Sequence, residues 1–478
     1  MASIGVATEA RIAFDNFRDR ITSVGLPTLR IGVSGLSRAG KTVFITALVN
    51  ALVGGGRLPL FRAQANGRIS RATIVAQPDD DVPRFQVEDH TRTLLRDRAW
   101  PDSTRAIAQT RVLIEYESES AWISPKRKLA LDIVDYPGEW LLDLPLLEKD
   151  FATFSREAAE LAKLPGREEL AREWQEAAAA LDPDGEPDEA AVTRLHEAFR
   201  DYLRACREDR RALSTLPPGR FLMPGDLEGS PALTFAPLPG VSDAPKRGSL
   251  GYMLRHRYEA YKDVVVRPFF RDHFARLDRQ VVLIDVLQAM NAGAEAVTDL
   301  SRALTEVMRS FRPGTNNPIS RLFSRRIDRM LLAATKADHL HHQDHDRLEA
   351  IVSQLVVEAA RRAGAAGAMV DTAAIAAVRA TREARQGEGS DALPLIVGTP
   401  IAGERIDGRT FDGQTEIAIF PGDLPRDPHD AITEDHTDAI QFVRFRPPEL
   451  ERDARGAIDI PHIRLDRALE HLLGDRLR

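Results

Sequence analysis

Leu29-Arg-Ile-Gly-Val-Ser-Gly-Leu-Ser-Arg-Ala-Gly-Lys-Thr-Val-Phe-Ile-Thr-Ala-Leu-Val49 divides into three physical parts. The apolar run from Leu29 to Val33 predicts a strand, Gly35 to Thr42 fits the spacing G-x-x-x-x-G-K-[ST], and the apolar stretch from Val43 predicts a helix. Strand, glycine-bounded loop and helix together make an anion cradle. Gly35 and Gly40 let the backbone turn with successive N–H groups inward, and the positive end of the helix adds to their pull on phosphate oxygens. Ser37, Arg38, Ala39, Gly40, Lys41, Thr42 and Val43 are the residues expected to line it. Lys41 would set a point charge against the β- and γ-phosphates of a nucleotide, and the Thr42 hydroxyl would ligate magnesium.

A cradle of this kind needs an acidic group at the end of a neighbouring strand. Leu129-Ala-Leu-Asp-Ile-Val134 supplies the strand, and Asp135-Tyr-Pro-Gly138 follows it as D-x-x-G. Asp135 would hold a magnesium-bound water, with the Gly138 amide facing the γ-phosphate. A third apolar run, Met330-Leu-Leu-Ala-Ala334, ends in Thr335-Lys336-Ala337-Asp338, which fits [NT]-K-x-D. The Asp338 carboxylate can accept from the N1–H and exocyclic amine of guanine, whereas adenine turns a lone pair toward it. Each charge-assisted bond contributes about 1.5–3 kcal/mol, so one side chain can separate GTP from ATP by orders of magnitude. Lys336 would lie along the base and buttress the phosphate loop. Ala373-Ala-Ile-Ala-Ala-Val378 is expected as the last core strand. It ends at Arg379-Ala380-Thr381, where a backbone amide would bind guanine O6, although the sequence departs there from the common S-A-K.

The chain has 478 residues, 43% hydrophobic and 29% charged, which is enough for a large core and more than one structural unit. A net charge of −7 argues against general nucleic-acid binding. Cys206 is the single cysteine, which excludes an intramolecular disulfide and a thiolate metal cage. No apolar run reaches the roughly 18 residues of a membrane span, and the first residues lack the pattern of a secretion signal. A cytoplasmic protein is therefore expected.

Motif spacing shows where a nucleotide-binding core is expanded. Gly54-Gly-Gly-Arg-Leu-Pro-Leu-Phe61 reads as a loop. Thr104, ahead of the strand-like Thr110-Arg-Val-Leu-Ile-Glu-Tyr116, has the position of the residue that closes over magnesium and γ-phosphate; Ser103, Thr110 and Thr73 compete for that role. From Leu147 to about Arg211 the apolar spacing is helical, with Leu195, Phe199, Tyr202, Leu203 and Cys206 on one face and a loop at Leu181-Asp-Pro-Asp-Gly-Glu-Pro-Asp188. The expected architecture is α/β: a mixed, mostly parallel sheet flanked by helices, with an inserted α-helical subdomain and extra C-terminal strands. Residues 1–145 and 275–478 form the nucleotide-binding domain and 146–274 the insertion. Leu233-Thr-Phe-Ala-Pro237, Leu393-Pro-Leu-Ile-Val-Gly-Thr399, Glu416-Ile-Ala-Ile-Phe420 and Gln441-Phe-Val-Arg-Phe445 read as extended, Arg279-Gln-Val-Val-Leu-Ile-Asp-Val286 as a buried strand, 347–363 as one helix and 461–478 as a docked helix.

Longer strings carry a family likeness: Trp100-Pro-Asp-Ser-Thr104, Asp132-Ile-Val-Asp-Tyr-Pro-Gly-Glu-Trp140, Pro218-Gly-Arg-Phe-Leu-Met-Pro-Gly-Asp226, Asp285-Val-Leu-Gln-Ala-Met-Asn-Ala-Gly293 and Pro461-His-Ile-Arg-Leu-Asp-Arg467. With the phosphate loop, they make the chain resemble the YcjX-like family of bacterial stress-induced P-loop GTPases over most of its length. The resemblance implies a cytoplasmic protein that binds GTP and GDP, takes part in a stress response and works beside a membrane-protein partner at the inner membrane.

Catalysis is less legible than binding. Glu139 follows Gly138 where many GTPases carry a glutamine that orients water. Arg38 sits inside the loop where the guanylate-binding large GTPases, whose loop this one resembles, carry an internal arginine finger; its guanidinium would neutralise charge on the transferring group. With Lys41 and Thr104 these are the candidate catalytic residues. A non-hydrolysing nucleotide scaffold and an ATP-using kinase are the competing functions. His339, His341, His342 and His345 are interleaved with Asp344 and Asp346 and read as a solvated loop rather than a metal site. Phe14, Phe17 and Ile21 form an apolar stripe expected to pack on the protein's own core. Nothing in the pattern selects an oligomeric state.

Overall fold

Short β-branched and leucine-rich runs separated by amphipathic stretches give strands that hydrogen-bond to one another while helices cover their faces. The computed structural model describes residues 26–478 except 37, 103–105, 120–125, 210–216, 225–226, 311–326, 388–391, 407, 435–441, 453 and 455. Ser37, Ser103, Thr104 and the Phe14, Phe17 and Ile21 stripe lie outside the described residues. The chain divides into two units, one containing 26–137, Leu277–Ala294 and the described part of Arg325–Arg478, the other Gly138–Arg276 and 295–310.

The first unit is built on β1 (Thr28–Gly35), β2 (Ile69–Val75), β3 (Ala108–Glu117), β4 (Lys126–Asp135), β5 (Arg279–Ile284), β6 (Arg329–Ala334) and β7 (Met369–Ala374). They form a seven-stranded sheet in the order β2-β3-β4-β1-β5-β6-β7. The run from β4 to β7 is parallel, and β3 pairs antiparallel with both β4 and β2. Every residue of β5 is buried, as a strand covered on both faces requires. Helix α1 (Lys41–Gly54) buries Phe44, Ile45, Leu48 and Leu52 in the core below the sheet. The terminal helix, Leu465–Leu473, docks on the same core through Leu465, Leu469, Leu472 and Leu473. Arg279 fastens its end: the buried guanidinium holds Asp475 through two bonds of 2.7 Å and Asp328 at 3.0 Å. A separate three-stranded sheet joins Arg382–Gln386 (β8), Leu393–Gly398 (β9) and Ile417–Ile419 (β10), the latter two where extended chain was expected.

Four expectations need correction. The last core strand is Met369–Ala374 rather than 373–378, because Ala374 is already level with Ala334 at the sheet edge and Ala376 pairs instead with Ile463. Residues 233–237 are not a strand: Pro231–Leu233 is a 3-10 turn, and Phe235 is wholly buried among aromatic rings. Of 441–445, the described residues contribute only an isolated bridge, Phe445 to Pro400. The helix expected over 347–363 is two, His345–Leu355 and Val357–Ala365, interrupted at Val356.

The second unit is mainly helical, with α2 (Phe151–Ala162), α3 (Glu168–Ala179), α4 (Glu189–Glu208) and α5 (Leu250–Tyr261). Asp150, Asp188 and Ser249 accept from first-turn amides of α2, α4 and α5, satisfying donors that a helix start leaves open. Trp174 stacks on Tyr202 at 5.7 Å and Phe154 on Tyr258 at 5.2 Å, so ring contacts hold the helices together. The Asp143 carboxyl is buried among these groups and pushed up to about 6, while the Tyr261 hydroxyl (2.6 Å) and Gly219 amide (2.7 Å) donate to it. Gly219 is confined: a Cβ there would lie 1.9 Å from the Glu139 carbonyl oxygen. Gly219→Ala is expected to destabilise the helical unit by about 3 kcal/mol, since neither backbone can yield freely. A urea unfolding midpoint equal to that of the wild type would contradict this packing.

Candidate nucleotide-binding site

Parallel strands end at one edge, and their register decides which loops meet there. Val33 is level with Asp135 of β4, Gly35 with Leu283 of β5, and Ile284 with Ala334 of β6 and thereby with Ala374 of β7. The phosphate loop, Asp135 and Thr335–Asp338 therefore emerge from the same sheet edge. Strands lie about 4.8 Å apart, so the ends of β1 and β6, with β5 between them, are about 10 Å apart. A nucleotide can bridge that gap from phosphates to base.

Within the loop, Gly35 approaches β5 so closely that a Cβ would sit 2.5 Å from the Leu283 carbonyl oxygen. Gly40 takes a left-handed conformation, φ 86°, and no side chain caps the start of α1. The first turn of that helix also carries no acidic residue, so neither a cap nor a like charge competes with an anion there. Ala39 is buried, Val43 is half-buried, and Arg38 is an exposed residue at φ 64°, a conformation that costs a non-glycine residue energy and concentrates at functional sites. Lys41 is buried, and its Nζ donates to the Gly35 carbonyl at 2.9 Å and the Leu36 carbonyl at 3.4 Å, inside the loop. The Thr42 hydroxyl donates to the Asp102 carbonyl at 3.3 Å. The segment leading to Thr104 therefore lies beside the residue expected to bind magnesium. Of its competitors, Thr110 is buried within β3 opposite Ile133 and Thr73 pairs in β2 with Leu113.

The Thr335–Asp338 loop, where base recognition is expected, is assembled from two strand ends. The Thr335 amide donates to Ile284 at 2.9 Å and the Ala337 amide to Ile375 at 3.1 Å, fixing the turn to β5 and β7. Lys336 adopts φ 61° and its Nζ pairs with Asp285 at the end of β5. Asp338 is buried, and the Ala380 amide donates to its Oδ2 at 2.8 Å, while the Thr381 hydroxyl donates to its backbone carbonyl. Ala380 and Thr381 thus join Asp338 even though their strand ends earlier than expected. Burial pushes the Asp338 carboxyl up to about 6 against the opposing pull of the Ala380 amide, Arg379 and Lys336. His339 beside it is pushed down to about 3 by burial and by Lys336, so it is neutral.

Gly138 and Glu139 belong to the helical unit, and the Glu139 carboxylate pairs with Arg207 at 2.8 Å. The chain passes from one unit to the other inside the D-x-x-G turn, between Pro137 and Gly138. The histidines are not a solvated loop: His339, His341 and His345 are buried and only His342 is exposed, because the turn after Asp338 packs under other segments. Three residues escaped sequence reasoning. Asp285 receives Lys336 and also caps helix Val286–Ala292 by accepting from Gln288; its signal was a carboxylate at the end of a parallel strand next to the phosphate loop. Trp100 donates to the Phe445 carbonyl at 2.7 Å, and the Phe445 ring packs against His339. That bridge joins residues 345 positions apart and leaves no local pattern.

A glycine-bounded anion loop between the first strand and helix of a mostly parallel sheet, with acidic groups at the same edge, defines a P-loop α/β protein. Residues 29–477 match the YcjX-like family, and the chain belongs to that family. It is 38% identical to an Escherichia coli K12 protein named Ras-like GTPase YcjX over 94% of this chain and 96% of that one. A Shewanella oneidensis protein of the same name is 32% identical over 94% of each.

Proposed function

We propose that the protein binds GTP and GDP with magnesium and hydrolyses GTP slowly to GDP and phosphate, acting as a nucleotide-dependent switch. The observation that carries this reading is the buried Asp338 carboxylate, joined to the Ala380 amide and two strands from the phosphate loop. The names of the two relatives support it. Ser37, Ala39, Gly40, Lys41, Thr42 and Val43 would hold the phosphates, and Thr335, Lys336, Asp338, Ala380 and Thr381 the base. The donor set at the phosphate end, a hydroxyl and a carboxylate, suits magnesium: Thr42, Asp135 and Thr104 would hold it. When bound, that ion supplies positive charge that offsets charge on the phosphate oxygens.

In the hydrolytic step a water oxygen bonds to the γ-phosphorus while the bond to the β–γ bridging oxygen breaks, giving GDP and phosphate. Lys41 and Arg38 would neutralise the oxygens of the transferring group. The Arg207 pair already holds Glu139, which favours Arg38 over Glu139 as the principal catalytic group. Arg38→Ala is expected to slow turnover at least about tenfold with GDP affinity nearly intact; unchanged turnover removes the role. The γ-phosphate would be sensed at the Asp135–Gly138 turn, from which the chain continues into the helical unit. This reading places the protein in the cytoplasm in a stress response; no described helix is long and apolar enough to cross a membrane.

Steady-state phosphate release tests the proposal. Slow release from GTP that stops with EDTA is expected, and no release in the presence of magnesium would leave a nucleotide-holding scaffold. Acidity gives a second check. Guanine needs Asp338 ionised, and its carboxyl stands at about 6, so GDP affinity should fall as pH drops through 6, by about tenfold per unit below it. Titrations between pH 7.5 and 5 that stay flat would contradict the base-reading role of this carboxylate.

A further inference from the structure

We propose that His341, His342 and Glu383 form a binding site for a divalent transition metal of the zinc class. Each imidazole offers one ring nitrogen and the carboxylate one oxygen, and these atoms all lie within 4.8 Å of one another. His342 Nδ1 is 2.6 Å and His341 Nε2 3.7 Å from the same oxygen, Glu383 Oε2. The two ring centroids lie 4.2 Å apart, with the rings tilted by 39°. Ligands around a tetrahedral zinc at about 2.1 Å sit about 3.4 Å apart, so small side-chain rotations convert this cluster into a three-ligand site with a water position left open.

The His341 side chain is 2% exposed, and its Nε2, 3.7 Å from Glu383 Oε2, is the ring nitrogen placed to bind. A metal bound there would fix the tautomer and orientation of the ring. Glu383 is oriented to complete the set, since Arg379 holds its other oxygen, Oε1, at 3.3 Å and leaves Oε2 turned toward the imidazoles. Two nitrogens and one carboxylate oxygen suit zinc rather than magnesium or calcium, which prefer oxygen throughout. Metal entry forms bonds to His341 Nε2, His342 Nδ1 and Glu383 Oε2 and breaks the hydrogen bond between the last two; the His342 proton then resides on Nε2, so the ring stays a neutral imidazole while it binds.

The site joins two pieces of chain that matter together. His341 lies three residues beyond Asp338 and Glu383 two beyond Thr381, so a bound metal ties the base-reading turn to the segment that supplies the Ala380 amide. The test uses Co2+ and Zn2+ alone, on full-length protein in excess Mg2+, and needs no nucleotide; its failure is therefore separable from failure of the GTP reading. One Co2+ per chain with a ligand-field spectrum of nitrogen and oxygen donors, displaced by Zn2+, is the expected result, together with a rise in melting temperature on adding Zn2+. His342→Ala and Glu383→Ala, at exposed and half-exposed positions, should each weaken binding at least about tenfold and abolish the thermal shift while keeping the metal-free melting temperature. Absence of stoichiometric binding to the wild type, or equal binding by the wild type and both variants, would overturn the site.

Discussion

Asp338→Asn should lower affinity for GDP and GTP by at least about a hundredfold and raise affinity for xanthine nucleotides. The carboxylate accepts two hydrogen bonds from guanine, each contributing about 1.5–3 kcal/mol, and a buried amide turned toward two donors both loses those bonds and leaves groups unsatisfied. Xanthine carries a carbonyl where guanine carries the amine, so the asparagine N–H gains an acceptor. The fold should tolerate the change, because the asparagine carbonyl can still accept from the Ala380 amide that now binds Oδ2 at 2.8 Å. Titration of fluorescent guanine and xanthine diphosphates separates the outcomes. A variant with unchanged guanine affinity would show that the base lies elsewhere.

Lys41→Ala should have the second large effect, a loss of at least about a hundredfold in affinity for both GDP and GTP, with phosphate release falling to background. Its ammonium is already buried within the loop, bonded to the Gly35 and Leu36 carbonyls, so it meets phosphate with little cost in ordering. Loss of those carbonyl contacts costs the unliganded fold little, so the melting temperature should drop by only a few degrees. Lys41→Arg should not restore binding, because the branched, planar guanidinium needs a wider pocket than an ammonium folded against its own loop. Isothermal titration with GDP reads the difference; affinity within about threefold of wild type would mean that phosphates do not enter this loop.

Local pattern reached the sheet and the strand ends that bring the candidate residues to one edge. β1, β4, β5 and β6 each carry a buried, mostly apolar stretch that leads into a distinctive neighbour, and a parallel sheet must bring such ends to one edge. The helical face of α4 was legible because Leu195, Phe199, Tyr202, Leu203 and Cys206 repeat at its period and are buried. Where the environment of a segment is set by distant chain, the pattern misled. Ala373 to Val378 is uniformly apolar, yet pairing with Ala334 ends the strand at Ala374 and the rest meets Ile463. Leu233 to Pro237 looks extended because Phe235 is buried by rings from α2 and α5, not because it pairs. His341 is polar and flanked by acids, but its turn lies under Glu383 and the segments around it. In the same way the roles of Asp285, Trp100 and Phe445 depend on partners between 51 and 345 residues away.

The most direct measurement is displacement of a fluorescent GDP analogue from the wild-type protein by unlabelled GTP and by ATP in the presence of magnesium. GTP should compete at least about a hundredfold more strongly than ATP, because only guanine presents donors to Asp338. Equal competition, or stronger competition by ATP, would contradict a guanine-reading pocket at the end of β6.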